Sequence, residues 1–127
     1  MSDFTLADAV AQQFARFGVG DHDALVELCG SADPVEVAAR FDGFVEREFA
    51  TRIVRPWFFT LSVGQVAALE LDDRRVIVVK VHPRRVRAAV LTAMHAVQRA
   101  LVDRGFPCPE PVAGPCRFGD RLATVDS

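Results

Sequence analysis

The fold class is decided by residues 75–111, RVIVVKVHPRRVRAAVLTAMHAVQRALVDRGFPCPEP. The run of β-branched residues predicts a buried strand over about 75–82, and Pro83 ends it. An amphipathic helix is predicted over about 84–103, with Gly105 as its C-terminal cap. The proline-rich segment that follows, FPCPEPVAGP, is predicted to be extended and loop-like, because proline disfavours helix before and within it.

The helix after this strand has one apolar stripe at helical spacing. Such a stripe normally faces the protein core. We therefore expect its buried residues to be Val86, Val90, Ala93, Met94, Val97 and Leu101.

Residues 1–49 predict a helical segment. A first helix over 3–17 has apolar residues at helical spacing and is stopped by Gly18 and Gly20. A short helix over about 22–29 ends at Gly30. The apolar residues that recur at helical spacing in the first helix are Phe4, Ala7, Val10, Ala11, Phe14 and Phe17.

A third helix is predicted over about 34–48. Ser31 or Asp33 is its expected N-cap, Pro34 occupies its first position, and Glu36 follows three residues after Asp33. Its buried residues are expected to be Val37, Phe41, Phe44, Val45 and Phe49.

Three antiparallel strands are predicted over about 51–61, 65–71 and 75–82. Turn residues separate them at Ser62–Gly64 and Asp72–Asp73. Pro56 indicates an edge position or a bulge in the first strand. A last strand is predicted at 121–126, so the order of elements indicates an α+β fold.

Composition excludes several functional classes. The 127 residues fit one domain, and their net charge of −2 argues against nucleic-acid binding or attraction to anionic lipid. No apolar run approaches the roughly 20 residues of a membrane helix, and the acidic N-terminus is unlike a signal peptide, so we expect a cytoplasmic protein. Cys29, Cys108 and Cys116 are expected to be reduced thiols, and their spacing predicts no metal site.

Lys80 is a single charge in an otherwise apolar strand. Burying an unpaired lysine is very costly, so its amine must reach water, a carboxylate or an anion. One interpretation is a strand-end lysine that extends to solvent. The other is a ligand for phosphate.

The motifs VIVVKVHP, HAVQRALVDRGFPCPEPVAGP and LATVD favour the second interpretation, since together they resemble the N-terminal portion of bacterial aminoglycoside-phosphotransferase-like proteins. The resemblance covers about residues 50–127, and residues 1–49 would match a helical extension. It implies a protein-kinase-like N-terminal lobe, in which an antiparallel sheet and one long packed helix form half of an ATP site.

The resemblance also implies roles for particular residues. Lys80 would contact the nucleotide phosphates, and Val78 would pack on the adenine. Ser62, Val63 and Gly64 would cover the phosphates with backbone N–H groups. Thr124–Ser127, which include Val125 and Asp126, would lead to the hinge that pairs with the adenine edge.

The chain departs from this family at the partner of the lysine. The predicted helix has no glutamate, and the partner position falls near Met94, with His95 and Gln98 beside it. Gln98 is the residue we expect to hydrogen-bond Lys80, and Glu70 or Asp103 are remote alternatives.

The catalytic parts of such an enzyme are missing from the sequence. None of the three histidines has an acid two positions later, and the FDG triplet at 41–43 falls in a predicted helix. We therefore expect a truncated gene product or one half of a split enzyme that is inactive alone and requires a C-terminal lobe to hold Mg²⁺. DNA encoding His-x-Asp downstream of Ser127 would favour a split enzyme.

A non-catalytic interaction or regulatory module is the alternative. Trp57, Phe58 and Phe59 place aromatic side chains on both faces of one strand, which predicts an exposed apolar patch. Such a patch would serve self-association or docking of a separately encoded lobe. The arginines of HPRRVR, at 82–87, form either a solvated turn or a site for a phosphate or a carboxylate.

Overall fold

The computed structural model describes residues 3–17 and 22–127 and has an α+β fold, as predicted. Its strands form one antiparallel sheet in the order β1-β2-β3-β5-β4. Gly18 and Gly20, the predicted helix stops, lie outside the described residues. The elements are α1 (Leu6–Phe17), α2 (His22–Cys29), α3 (Pro34–Phe49), β1 (Ile53–Leu61), β2 (Gln65–Leu71), β3 (Val76–Val81), α4 (Ala88–Asp103), β4 (Pro111–Phe118) and β5 (Arg121–Asp126).

Short-range hydrogen bonds fix where α1 and α3 begin. The Thr5 hydroxyl accepts from the Asp8 N–H at 3.1 Å, and the Asp8 carboxylate accepts from the Thr5 N–H at 2.9 Å. Asp33 caps α3 by accepting from the Val35 N–H at 3.0 Å. The other predicted capping residue, Ser31, accepts from the Asp33 N–H, so it supports the cap.

The hydrophobic core lies between α1–α3 and one face of the sheet. Successive residues of a strand point to opposite faces, so Ile77, Val79 and Val81 of β3 enter this core. Phe41 packs against Phe59 and Phe118, with ring centroids 5.9 and 4.9 Å apart. The predicted core residues Val37, Phe41, Phe44 and Val45 are buried, and Phe49 is partly buried.

The two edge strands contain prolines. The prediction of an extended loop over 106–115 was wrong for its second half, because Pro111 begins β4. Proline is tolerated there since β4 is an edge strand with irregular register. Pro56 lies in the other edge strand, beside a register shift, as the sequence indicated.

Helix α4 packs differently from the prediction. It begins at Ala88, because Arg84–Arg87 form a turn. The predicted stripe is largely exposed: Val90, Met94, Val97 and Leu101 face away from the sheet, and Leu91 is the buried residue. The side that packs inward is half polar, since His95 and Gln98 follow Leu91 at helical spacing. Helical periodicity identifies the most apolar stripe of a helix, but here no element within the described residues packs against that stripe.

In the described part of the chain, no helix combines the length and the hydropathy needed to cross a bilayer.

Two glycines give opposite predictions for added side chains. A Cβ at Gly43, in the middle of α3, would meet no atom within 4 Å. We expect Gly43→Ala to stabilise the protein by about 0.5–1 kcal/mol, because alanine loses less backbone entropy in a helix. Urea unfolding followed by circular dichroism measures this change.

Gly64→Ala is the contrasting control. Its Cβ would lie 2.2 Å from the Val81 carbonyl oxygen. Backbone must therefore move, and we expect a loss of more than about 1 kcal/mol. A destabilising Gly43→Ala would contradict the position assigned to α3.

Candidate functional site

Lys80 pairs with a buried carboxylate on the neighbouring strand. Its Nζ lies 3.0 Å from Asp126 Oδ2, and the two side chains are 41% and 2% exposed. The pairing of β3 with β5 sets Lys80 opposite Thr124 and Val78 opposite Asp126, so all four residues share the sheet face that α1–α3 do not cover. Lys80 thus neutralises Asp126 while its amine stays accessible to solvent.

The carboxylate of Asp126 was not predicted as the partner of the lysine. This residue was predicted to act only through its backbone groups. The signal was nevertheless present, because LATVD places one acid in an apolar strand just as VIVVKV places one base. Only the pairing of two strands more than 40 residues apart brings the two charges together, and periodicity does not report that pairing.

His95 of α4 is the second neighbour of this carboxylate. Its Nε2 lies 3.4 Å from Asp126 Oδ1, and both side chains are largely buried. Oδ1 accepts no hydrogen bond from the described residues, so His95 is the nearest group able to satisfy it. Lys80, Asp126 and His95 therefore form one chain of contacts from β3 through β5 to α4.

His82 continues the same face of β3. Its Nε2 lies 2.8 Å from the Thr124 hydroxyl. Burial lowers the pKa of His82, the positive charges of Lys80 and His95 lower it further, and Asp126 acts in the opposite direction. The folded state therefore favours the neutral imidazole.

The β1–β2 hairpin tip reaches the end of the sheet where Lys80 lies. Gly64 packs so closely on the Val81 carbonyl and Pro83 that a side chain would not fit. The Ser62 N–H donates to the Gly64 carbonyl at 3.0 Å, which closes the turn, while Ser62 and Val63 are exposed. The tip that the sequence selected for phosphate contacts thus lies next to β3, one residue beyond Lys80.

The other predicted site residues occupy different surroundings. Gln98 donates its side-chain amide to the Pro109 carbonyl at 2.8 Å, and the partner of Lys80 is Asp126 instead. Of the remote alternatives, Glu70 pairs with Arg55 and accepts from the Trp57 indole. Val78 is half-buried on the same face as Lys80, and Val125 points into the core on the opposite face.

Comparison with known proteins gives no relative. No family model, curated protein or solved structure matches the chain. The chemistry of the site therefore has to be judged from its own residues. These are a half-exposed lysine, a buried carboxylate, two histidines and a threonine, which together can bind an anion through Lys80 while keeping the carboxylate neutralised.

The His82 environment predicts a pH dependence of stability. Because its pKa is lowered in the folded state, the unfolded chain binds the extra proton first. The contribution to stability is complete above the ordinary histidine pKa of 6.5 and is lost as pH falls from there towards the lowered folded value. We expect His82→Gln to reduce the loss of unfolding free energy below pH 6.5. Urea unfolding at pH 7.5 and at lower pH values measures this change.

The matched control is His22→Gln, since His22 is exposed in the first turn of α2. That variant should retain the wild-type decline. Identical pH profiles for wild type and His82→Gln would show that His82 is not the titrating group.

Proposed function

We propose that this chain is the nucleotide-binding half of an ATP-dependent small-molecule kinase, with the fold of a protein-kinase-like N-terminal lobe. The observation that supports it best is Lys80, a half-exposed lysine that a buried acid holds beside a hairpin tip. The order of elements along the chain, a hairpin with a glycine in its turn, a third strand that carries Lys80, then α4 and further strand, is the order that the sequence resemblance implies.

The charge arrangement suits a phosphate ligand. The Lys80 amine has three N–H donors and is accessible to solvent, so a phosphate oxygen can approach without displacing Asp126 completely. At the hairpin tip the Ser62 N–H already donates to the Gly64 carbonyl, so the backbone N–H groups of Val63 and Gly64 would supply the further donors to phosphate. Val78, which is half-buried on the same face as Lys80, offers apolar surface for a base.

Asp126 would take the place of the glutamate that such folds supply from the helix. Asp126 holds Lys80 from β5 through one carboxylate oxygen, and His95 of α4 lies against the other oxygen. Helix α4 is therefore linked to the lysine through Asp126. Mg²⁺ ligands and a catalytic base would come from a C-terminal lobe, and this half would bind nucleotide weakly on its own.

Titration with MgATP tests the proposal. We expect calorimetry to detect weak binding by the wild type and a loss of at least about tenfold in affinity for Lys80→Ala, because a charge-assisted contact to phosphate is removed. Arg16→Ala, which removes one exposed positive charge from α1, should bind like the wild type. Absence of binding in the wild type, or equal binding by Lys80→Ala, would contradict the nucleotide site.

Chemical labelling gives an independent measurement in the same experiment. Lys80 is the only lysine in the chain. A lysine-reactive acyl phosphate of ATP should therefore label one internal peptide, and excess ATP should protect it. Labelling without protection would leave Lys80 as a solvent-exposed strand-end lysine.

A second candidate function, an interaction module, is favoured by the outward face of α4. Val90, Met94, Val97 and Leu101 are all exposed and are spaced four, three and four residues apart, which is the pattern of a helix that packs against another element. Trp57 and Phe58 add exposed aromatic surface on β1, as the sequence predicted. The outward face of α4 would receive a separately encoded C-terminal lobe or a second copy of the chain.

A charged double variant tests whether the α4 face associates. We expect the wild type to show concentration-dependent self-association in sedimentation velocity, because an apolar face of this size is rarely left bare. Met94→Glu with Val97→Glu should be monomeric, since carboxylates on the helix face cannot be buried unpaired.

The matched control is Thr92→Glu with Ala96→Glu, on another exposed side of the same helix. It should associate like the wild type. A wild type that is monomeric at every concentration would exclude a second copy as the partner on this face.

A further inference from the structure

A cavity of ≈ 650 Å³ lies on the opposite side of the sheet from Lys80, among α2, α3 and the β4–β5 turn. Four arginines line it: Arg40 and Arg47 from α3, Arg84 from the turn after β3, and Arg121 from β5. The chain as a whole has a net charge of −2, so this concentration of positive charge is local. None of the roles derived for the Lys80 site uses it.

We propose that this arginine cavity, defined by Arg40, Arg47, Arg84 and Arg121, is a binding site for a small organic phosphate. Planar guanidinium groups bind phosphate through paired N–H donors, and several arginines converging on one space are a common solution for recognising it. The cavity volume is within the range of small-molecule sites.

Arg84 and Arg121 converge on one exposed carboxylate in the lining of the cavity, that of Asp120. Asp120 Oδ2 lies 3.2 Å from Arg84 Nη1, and its Oδ1 lies 3.7 Å from Arg121 Nε. Glu27 gives both arginines a further acceptor, its carboxylate to Arg84 at 3.0 Å and its carbonyl to Arg121. Arg121 is only 6% exposed, so its charge is fixed in place before any ligand arrives.

Arg40 and Arg47 approach from α3. Arg40 donates to the Cys29 carbonyl at 3.0 Å and to the Glu36 carboxylate at 2.9 Å. Arg47 lies over the Phe44 ring, 5.7 Å from its centroid, and donates to the Arg117 carbonyl. Each guanidinium has five N–H donors, so these contacts leave donors for a ligand.

The balance of charge in the cavity favours an anion. Asp120 is the one acidic residue that lines it, against four arginines. Outside the lining, Glu27, Glu36 and Glu48 pair with Arg84, Arg40 and Arg47; their side chains are 73%, 54% and 28% exposed, and solvent weakens the first two pairs most. A phosphate monoester, with a charge near −2, would compete with these carboxylates for the arginine N–H groups through paired donors.

The apolar part of the lining indicates that the ligand has a carbon skeleton. Phe44, Phe118 and Val26 contribute apolar surface beside the arginines. Cys29 adds a buried thiol whose pKa is raised to about 11 by burial, although the charges of Arg121 and Arg40 act in the opposite direction. The thiol is therefore neutral at pH 7 and adds no negative charge that would repel a phosphate.

A glycine in the cavity wall allows a sharp test. Gly43 lines the cavity, lies within α3, and has no atom within 4 Å of an added Cβ. Gly43→Glu should place a carboxylate among the arginines, whereas Gly43→Gln has the same size without the charge. Both substitutions are compatible with helix, so a difference between them reports charge instead of folding.

The probes are inorganic phosphate and phenyl phosphate, titrated by calorimetry, with succinate as the comparison anion. We expect the wild type and Gly43→Gln to bind phenyl phosphate more tightly than succinate, and Gly43→Glu to lose at least about tenfold in affinity. Arg40→Gln and Arg84→Gln, both at half-exposed positions, should each weaken binding as well.

Three results would overturn the proposal: no binding of either phosphate by the wild type, equal binding by Gly43→Glu, or succinate binding as tight as that of phenyl phosphate. The double variant Lys80→Met with Asp126→Asn, which removes both charges of the buried pair together, separates this site from the nucleotide site. It should leave phenyl phosphate binding unchanged, and Gly43→Glu should leave MgATP binding unchanged.

Discussion

The alternation of side chains on the central strands β3 and β5 is the constraint on which the rest of the structure depends. Ile77 and Val79 of β3 face the helical layer together with Val125 of β5, and the residues between them place Lys80 and Asp126 on the other face. A register shift of one residue would bury both charges among phenylalanines and expose the core valines. The hydrophobic core and the candidate site therefore follow from the same pattern.

The buried carboxylate of Asp126 then limits what Lys80 can do. Removing the lysine from a carboxylate that is 2% exposed would leave an uncompensated charge, which is strongly destabilising. A phosphate that binds Lys80 must therefore share it with Asp126 or draw on His95, which already touches the second oxygen. In the proposed nucleotide site this linkage would make His95 a positioning residue, although no charge pattern in the sequence distinguishes it from an ordinary surface histidine.

Local features of the fold could be predicted from the sequence, and non-local ones could not. The cap at Asp33, the bounds of α2 and β2 and the burial of Phe41 and Phe44 depend on neighbouring residues, and these predictions were confirmed. The partner of Lys80 depends on which strands pair, so the sequence pointed to the helix and not to Asp126. The edge strand β4 was missed because proline normally breaks strands, and only its position at the edge makes proline acceptable.

Helix α4 shows why the most apolar stripe need not be the buried one. The sheet already has a complete core on the face covered by α1–α3, so α4 contributes little beyond Leu91 to the packing of the described chain. Its inward side instead positions His95 against Asp126, and this leaves Val90, Met94 and Val97 facing outward. One face of the sheet thus carries the hydrophobic core, and the other carries the Lys80–Asp126 pair and the exposed apolar residues of α4.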